Sequence, residues 1–195
     1  MDVSKKIAKV LVKNNCIKTE ELEICSYGLE IMTSTILQIA SIFIIALIMN
    51  NFIETTLFFL AFIPLRIYVG GYHADTKMKC YLTSLAAYGI FTLILKIMPE
   101  EYIIYAGGIA GILDVITVFL FAPIVHKNRT MSTKEKNIYR KVSRAIVILE
   151  ICLWLVMSFV FQSKHYAAAF LMGQITVILS MVYTIAKDNS LKAGR

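Results

Sequence analysis

A histidine and a cysteine stand seven residues apart in a short segment that also contains an arginine and two adjacent glycines. The segment runs from Arg66 to Cys80 and includes Gly70, Gly71 and His73. A thiol becomes a strong nucleophile when a nearby imidazole accepts its proton. His73 and Cys80 are therefore a candidate catalytic dyad for thiol chemistry.

The spacing of the two residues limits how the chain can fold around them. On an unbroken α-helix, residues seven apart share a face, but their Cα atoms lie about 10.5 Å apart. Proton transfer needs a separation of about 3 Å. A catalytic pair thus requires a bend, and Gly70-Gly71 is where a helix could end so that a loop or re-entrant segment returns His73 to Cys80. The alternative is an ordinary loop in which His73 is incidental and Cys80 begins the next helix.

The composition places this segment in a membrane protein. The chain has 195 residues, of which 58% are hydrophobic and 17% charged, and its mean hydropathy is +0.70. A helix needs about 20 mostly apolar residues to cross a bilayer. Six stretches approach this length, at residues 33–49, 52–69, 81–97, 102–125, 145–161 and 166–186. We expect an all-α polytopic protein, a bundle of six transmembrane helices in a single domain over residues 1–195, because backbone groups in lipid must be paired internally.

The basic residues predict how the bundle is oriented, since Lys and Arg are held on the cytoplasmic side during insertion. With both termini inside, only Lys96 and Lys164 of the 20 Lys and Arg residues lie outside. Both termini, the catalytic segment and a basic loop at 125–144 are then cytoplasmic. The net charge of +7 is therefore a topogenic signal, and we expect no nucleic-acid partner because no soluble basic domain is present.

The N-terminal lysines surround the apolar residues Ile7, Val10 and Leu11. This pattern predicts a short amphipathic helix, either on the membrane surface or simply solvated. Polar residues also fall in or beside the spans, where such groups usually face the protein interior. For these we expect structural pairing with a basic partner: Glu30, Asp114, Glu150 and Gln174.

The catalytic segment resembles the signature of the accessory gene regulator protein B (AgrB) family, which are membrane cysteine endopeptidases of Gram-positive quorum sensing. The similarity lies in Arg66, Gly71, the His73-Ala74 pair and Cys80 at their spacing. It extends to two further motifs and to the hydropathy profile of the whole chain, the motifs being Tyr27-Gly28-Leu29-Glu30 and Ala122-Pro123 followed by His126-Lys127-Asn128. One departure is Thr130, where a proline is expected.

The resemblance implies an activity and a substrate. Cys80 and His73 would remove the acidic C-terminal tail of an AgrD-type pro-peptide and close the signal segment into a thiolactone or lactone. It implies a multi-pass protein of the bacterial cell membrane. We expect it to form a homodimer in the lipid bilayer and to need no metal or cofactor.

Other residues of the catalytic segment and of the basic loop are candidates for supporting roles in catalysis or substrate binding. Arg66 would stabilise an oxyanion or a substrate carboxylate, or else extend to lipid headgroups. Asp75 would orient His73 or be a solvated loop residue. The other candidates are Gly70 and Gly71 for support of the oxyanion, and Glu30, Lys127 and Arg129 for substrate binding, although the positive-inside rule already explains the two basic residues.

Two other classes of protein compete with a thiol peptidase. One is a metal-dependent membrane protease, with ligands drawn from His73, Asp75, Cys80 and His126, although the His-Glu-x-x-His spacing is lacking. The other is a peptide transporter or scaffold without covalent chemistry, in which the buried acids form a path for a proton or substrate. Internal repeats between the first three and the last three spans would favour this alternative, and the sequence shows no convincing repeat.

Overall fold

The computed structural model describes residues 3–71, 76–97, 99–124 and 131–193, and every regular element in these ranges is helical. The expected all-α class is therefore confirmed for the described residues. The helices are α1 (Val3–Lys13), α2 (Leu22–Ile48), α3 (Phe52–Val69), α4 (Lys77–Ile97), α5 (Glu100–Phe121), α6 (Thr133–Leu155) and α7 (Lys164–Ala193). A 3-10 turn, Thr19–Glu21, precedes α2, and a π-helical turn, Val156–Val160, continues α6.

Five helical stretches are long and apolar enough to cross a bilayer, as a multi-pass membrane protein requires. They are Thr19–Ile48, Phe52–Val69, Met78–Ile97, Thr133–Val160 and Lys164–Lys187. Helix α5 contributes a shorter apolar segment, Tyr105–Phe121. Of the six predicted spans, five are thus supported by the length and composition of the described helices.

Two helices begin well before the predicted spans. The motif Tyr27-Gly28-Leu29-Glu30 lies inside α2, and residues 133–144 form the first turns of α6. The predicted loop at 125–144 is therefore wrong for residues 133–144. Ser132 explains this start, because its Oγ accepts from the Glu135 N–H at 3.2 Å while a Glu135 carboxylate oxygen accepts from the Ser132 N–H at 2.9 Å. This capping box pairs two N–H groups that the helix itself cannot satisfy.

The first of two compact units, Met1–Asn50, contains α1 and α2, which pack against each other. The predicted N-terminal helix is confirmed as a helix. Ala8 is buried, whereas Ile7 and Val10 are exposed. An exposed apolar face flanked by lysines is what a helix at a membrane surface would present to lipid.

The second unit, Asn51–Arg195, contains α3 to α7 and is centred on α7. Half of the most apolar segment of α7 is buried, and α7 contacts each of the other helices of this unit. Its contacts include an apolar cluster drawn from four helices and from Ala122, which directly follows α5. The cluster consists of Leu65, Val69, Val118, Ala122, Val147, Val177, Ile178 and Met181.

Helices α3 and α7 run in the same direction. Their contacts follow the same order along both helices, pairing Glu54 with His165, Ala61 with Gly173 and Arg66 with Ser180. Gly173 permits this close approach, because a Cβ there would collide with the backbone carbonyl of Phe58.

Helix α6 runs antiparallel to α5. The Trp154 ring packs directly on Gly107, and at the other end Arg144 donates to the Phe119 carbonyl oxygen at 2.9 Å. Gly107 thus permits close packing of α6 on α5 within the chain.

Candidate active site

Helix α3 ends at the glycine pair, as the sequence predicts. Gly70 and Gly71 have φ angles of 80° and 127°, which side chains strongly disfavour. The backbone of Gly70 lies against Ile124, whose N–H donates to the Val69 carbonyl oxygen at 2.8 Å. A Cβ on Gly70 would collide with the Ile124 carbonyl oxygen. The glycines therefore end α3 and let the chain pass close to the segment that follows α5.

The Arg66 side chain turns back over this glycine turn. Its Nη1 donates to the Gly70 carbonyl oxygen at 2.6 Å and to Ser180 Oγ of α7 at 2.8 Å. Gly71 is buried beneath it, and a Cβ there would collide with the same guanidinium. Arg66 is thus bonded within the helical unit, which differs from an arginine that extends to the headgroups.

Cys80 lies in the first turn of α4. Its N–H donates to the Thr76 carbonyl oxygen at 3.0 Å, and Thr76 Oγ1 caps the helix by accepting from the Lys79 N–H at 3.3 Å. The cysteine is half-buried and is not in a disulfide. The N-terminus of a helix stabilises negative charge. Cys80 therefore lies at the positive end of the α4 dipole.

Arg66 lies near both the glycine turn that ends α3 and Cys80 at the start of α4. The guanidinium lies against Gly71 and is close enough to Cys80 to interact with it electrostatically. The residues that bracket the segment containing His73 are consequently gathered around one positive charge. This arrangement combines a nucleophile, a cation and a backbone turn.

Several predicted site residues lie outside the described residues: His73, Asp75, His126, Lys127 and Arg129. The dyad and the roles of these residues stay predictions. Among the residues that the structure describes, no group of three His, Cys, Asp or Glu side chains could hold a metal ion. Three of the four ligands considered for a metal lie outside that set. Glu30 is half-buried in α2, in the first unit.

The described part of the basic segment lies on α6. Its first turns are largely exposed, and Tyr139 stacks edge-on against Tyr68 of α3 with ring centroids 5.3 Å apart. Arg144 lies over the Phe119 ring at 4.7 Å from the centroid. These contacts tie the start of α6 to the ends of α3 and α5.

The expectation of basic partners for the buried acids is wrong for α5 and α6. Asp114, Glu150 and Gln174 are all buried, and Gln174 Nε2 donates to a Glu150 carboxylate oxygen at 3.1 Å. No ion pair to a basic side chain is found for Asp114 or Glu150 in the described ranges. Instead, Asp114 of α5 and Glu150 of α6 are close enough to interact electrostatically.

Sequence reasoning missed Ser180. A serine in a long apolar helix carries no pattern of its own, and its bond to Arg66 joins positions 114 apart in the chain. Only the packing of α7 on α3 brings the two side chains together.

Comparison with known proteins identifies relatives over most of the chain. The family model described as Accessory gene regulator B matches residues 4–183. A protein of Clostridium perfringens strain 13, named AgrB-like protein 2, is 26% identical over 191 residues, which cover 95% of this chain and 87% of the relative. An AgrB-like protein of Listeria innocua is 30% identical over 152 residues, covering 75% of this chain and 73% of the relative.

A third relative, an AgrB-like protein of Clostridium perfringens strain SM101, is 29% identical over 140 residues. That match covers 69% of this chain and 64% of the relative, slightly less than two thirds of its length. No solved structure matches the chain.

Proposed function

Since the chain belongs to the accessory gene regulator B family, we propose that it is a membrane-embedded cysteine endopeptidase that processes an AgrD-type pro-peptide. Family membership itself indicates a role in quorum-sensing peptide processing. The proposal adds the chemistry. Cys80 removes the C-terminal tail through an acyl-enzyme, and the signal segment is then cyclised.

The observation that carries the proposal is the convergence of Arg66, Gly71 and Cys80. Cys80 combines two sources of positive potential, the N-terminus of α4 and the Arg66 guanidinium. Both stabilise the oxyanion that forms when the Cys80 sulfur attacks a carbonyl. Helix α4 begins at Lys77, between His73 and Cys80 in the chain, so the separation of about 10.5 Å that one unbroken helix would impose does not apply.

In the first step, His73 accepts the Cys80 proton and the thiolate attacks the carbonyl carbon that joins the signal segment to the tail. The C–N bond breaks, His73 returns the proton to the leaving amine, and the signal segment remains as a thioester on Cys80. Conversion of an amide to a thioester is unfavourable. We therefore assign the forward drive to release of the tail.

In the second step, a Cys or Ser side chain of the peptide attacks the thioester carbonyl. The new ring bond is a thiolactone or lactone, and Cys80 leaves as a thiolate that takes back a proton. Water would compete by hydrolysing the thioester, so the site must exclude it. A half-buried nucleophile at the start of an apolar helix suits this requirement.

Arg66 is the electrostatic residue of the site in this proposal, and Ser180 is its positioning residue. Nη1 is held by the Gly70 carbonyl and by Ser180, which restrict the guanidinium to one orientation. A preorganised cation needs little rearrangement when charge develops, which is the basis of electrostatic catalysis. Asp75 would orient the His73 ring.

We also propose that α5 is the sixth span. At 1.5 Å per residue its 22 residues extend about 33 Å, which is close to the thickness of a bilayer core.

Six spans place both termini and the catalytic segment in the cytoplasm, with the segment at His73 re-entrant or in a loop. Lys127 and Arg129, together with the exposed basic turns of α6, would bind the acidic tail. Glu30 would be a further substrate-binding residue, and the protein would act as a homodimer.

The decisive experiment is the intact mass of the pro-peptide after incubation with the protein in liposomes. Wild type should release the tail and leave a signal segment one water lighter than its hydrolysed form. Cys80→Ala and His73→Ala should lower processing by about 10³-fold or more. Cys152→Ala is the matched control, because this exposed cysteine of α6 is remote from the proposed chemistry.

Processing that persists in Cys80→Ala would refute the thiol mechanism. Loss of processing on chelation, with no loss on thiol alkylation, would support the metal-dependent alternative. A linear product from wild type would retain the peptidase and refute the cyclisation step.

A further inference from the structure

Three buried polar side chains interact in the interior of the second unit, at a distance along α7 from the candidate active site: Gln174 hydrogen-bonds to Glu150, and Asp114 interacts with Glu150 electrostatically. Asp114 of α5, Glu150 of α6 and Gln174 of α7 are 1%, 4% and 0% exposed. Gln174 lies between His165 and Ser180, which contact opposite ends of α3. The three side chains are therefore near the middle of the bundle.

This cluster has more hydrogen-bond acceptors than donors. Gln174 Nε2 donates to one oxygen of Glu150, at 3.1 Å. The second Glu150 oxygen, Oδ2 of Asp114 and Oε1 of Gln174 are all buried without a partner in the part of the chain that the structure describes. An unpaired buried acceptor destabilises the folded state, and two nearby carboxylates add mutual repulsion.

The charged groups of the surrounding helices have partners elsewhere. Arg144 of α6 donates to the Phe119 carbonyl oxygen, and Arg66 of α3 donates to Gly70 and Ser180. Glu54 of α3 lies 3.2 Å from His165 at the other end of α7. Arg144 keeps one buried guanidinium nitrogen, Nε, without a partner, but no basic side chain in the described ranges forms an ion pair with Asp114 or Glu150.

The backbone beside the cluster is irregular as well. Trp154 follows Glu150 by one turn on α6, and its indole N–H is buried without a partner among the described residues. The π-helical turn Val156–Val160 begins two residues later. Such turns are rare and occur frequently at functional sites.

We propose that Asp114, Glu150 and Gln174 form a binding site for one monovalent cation, either a proton or an alkali-metal ion. Oxygen atoms from three helices lie there, three of which have no donor among the described residues, and both ligands satisfy oxygen acceptors while removing one negative charge. Binding joins α5, α6 and α7, so the occupied site stabilises their packing. This inference does not depend on the chemistry of Cys80.

Trp154 makes binding measurable in the unaltered protein, because it is the only tryptophan in the chain. Full-length protein in lipid nanodiscs is kept at constant ionic strength with a large organic cation. Na⁺ and K⁺ are then added at fixed pH, and a separate pH series contains no alkali ion. We expect a saturable change in Trp154 emission, accompanied by a higher thermal unfolding midpoint at saturation.

The two series distinguish the ligands. A response to Na⁺ or K⁺ at fixed pH identifies an alkali-metal site. A midpoint that depends on pH and is insensitive to both ions identifies a proton site, and the midpoint should then fall as pH rises, because the folded state holds a proton that the unfolded chain has released.

Substitutions test whether the response comes from this cluster. Asp114→Asn and Glu150→Gln should each weaken apparent binding by about ten-fold or more, since each removes a charged ligand. Ser143→Ala is the matched control, because Ser143 is also fully buried on α6 but bonds only to the Arg140 carbonyl oxygen. If a variant does not fold, labelling of wild-type Asp114 or Glu150 by a hydrophobic carbodiimide, located by mass spectrometry, provides the second measurement.

Na⁺ should slow this labelling in an alkali-metal site, and rising pH should slow it in a proton site. The proposal is overturned if wild type responds in neither series. It is also overturned if the response is unchanged in Asp114→Asn and Glu150→Gln, or if carbodiimide labels neither carboxyl group under any of these conditions.

Discussion

Two groups of polar side chains lie within the apolar second unit, one around Arg66 and one around Asp114 and Glu150. Each includes a side chain of α7. Around Arg66, the positive charge has oxygen partners at 2.6 and 2.8 Å. In the acid cluster, three acceptors lack a donor among the residues that the structure describes. The fold thus supplies the partners of one charge and leaves the other to be compensated by a ligand.

The difference has a functional meaning. A charge whose partners belong to the protein is preorganised and can act on a reacting group without rearrangement. A charge cluster without built-in partners responds to what it binds, and its stability varies with the solution. We therefore expect substitutions near Arg66 to alter chemistry, and substitutions in the acid cluster to alter the response to cations.

Among substitutions that keep Cys80 and His73, the largest effect should come from Gly71→Ala. The new Cβ would displace the Arg66 guanidinium, and the positive φ would strain the backbone by about 1–3 kcal/mol. A displacement of about 1 Å can lower a rate by about 10²-fold, so we expect pro-peptide processing to fall by that amount together with the unfolding midpoint. Gly108→Ala, where a Cβ meets nothing within 4 Å, should preserve both, and normal processing by Gly71→Ala would contradict the assigned role of Arg66.

An intermediate effect is expected from Ser180→Ala. Loss of one hydrogen bond to Arg66 should reduce kcat about ten-fold, or about 1.4 kcal/mol, with little change in KM because the substrate is bound elsewhere. The rate of Cys80 alkylation at fixed pH should fall in parallel. Ser180→Thr keeps the hydroxyl and should restore both rates.

The control for this prediction is Thr176→Val, which removes a hydroxyl of α7 that bonds only to the Met172 carbonyl oxygen. An equal loss of activity in Thr176→Val would show that the effect of Ser180→Ala is general destabilisation of α7.

The smallest effect on processing should come from Asp114→Asn. We expect a rate within about two-fold of wild type, because the substitution leaves the contacts of Arg66 intact. Its unfolding midpoint should rise in alkali-free buffer at high pH, since one of two facing charges is removed. A large loss of processing would show that the acid cluster and the region around Arg66 are coupled, and would contradict their separate roles.

The helical class and the helix break at Gly70-Gly71 were predictable because both depend on local properties. Apolar stretches of spanning length require helices in lipid, and only glycine tolerates the φ of 127° found at Gly71. Helix starts were less predictable. The polar first turns of α6 contain no hydropathy signal, and the Ser132–Glu135 capping box that begins the helix lies outside the apolar stretch.

The partners of polar groups were the least predictable feature. Basic partners were expected for Asp114 and Glu150, and the structure instead pairs Glu150 with Gln174. Arg66 could have pointed to lipid, and it donates to Ser180. These pairings depend on which helix faces are in contact, which periodicity in a single helix does not specify. The dyad of His73 with Cys80 remains a prediction.

By itself the sequence determined a multi-pass helical protein, the family to which it belongs and a chemically suited pair of residues, because hydrophobic length and short motifs are properties of contiguous chain. Tertiary structure alone decided that Arg66 lies between Gly71, Ser180 and Cys80, and that Asp114, Glu150 and Gln174 share one buried space. The physical reason is that charge in an apolar interior must be compensated across helices. The compensating groups are distant in the chain and become neighbours only when α7 packs against α3, α5 and α6.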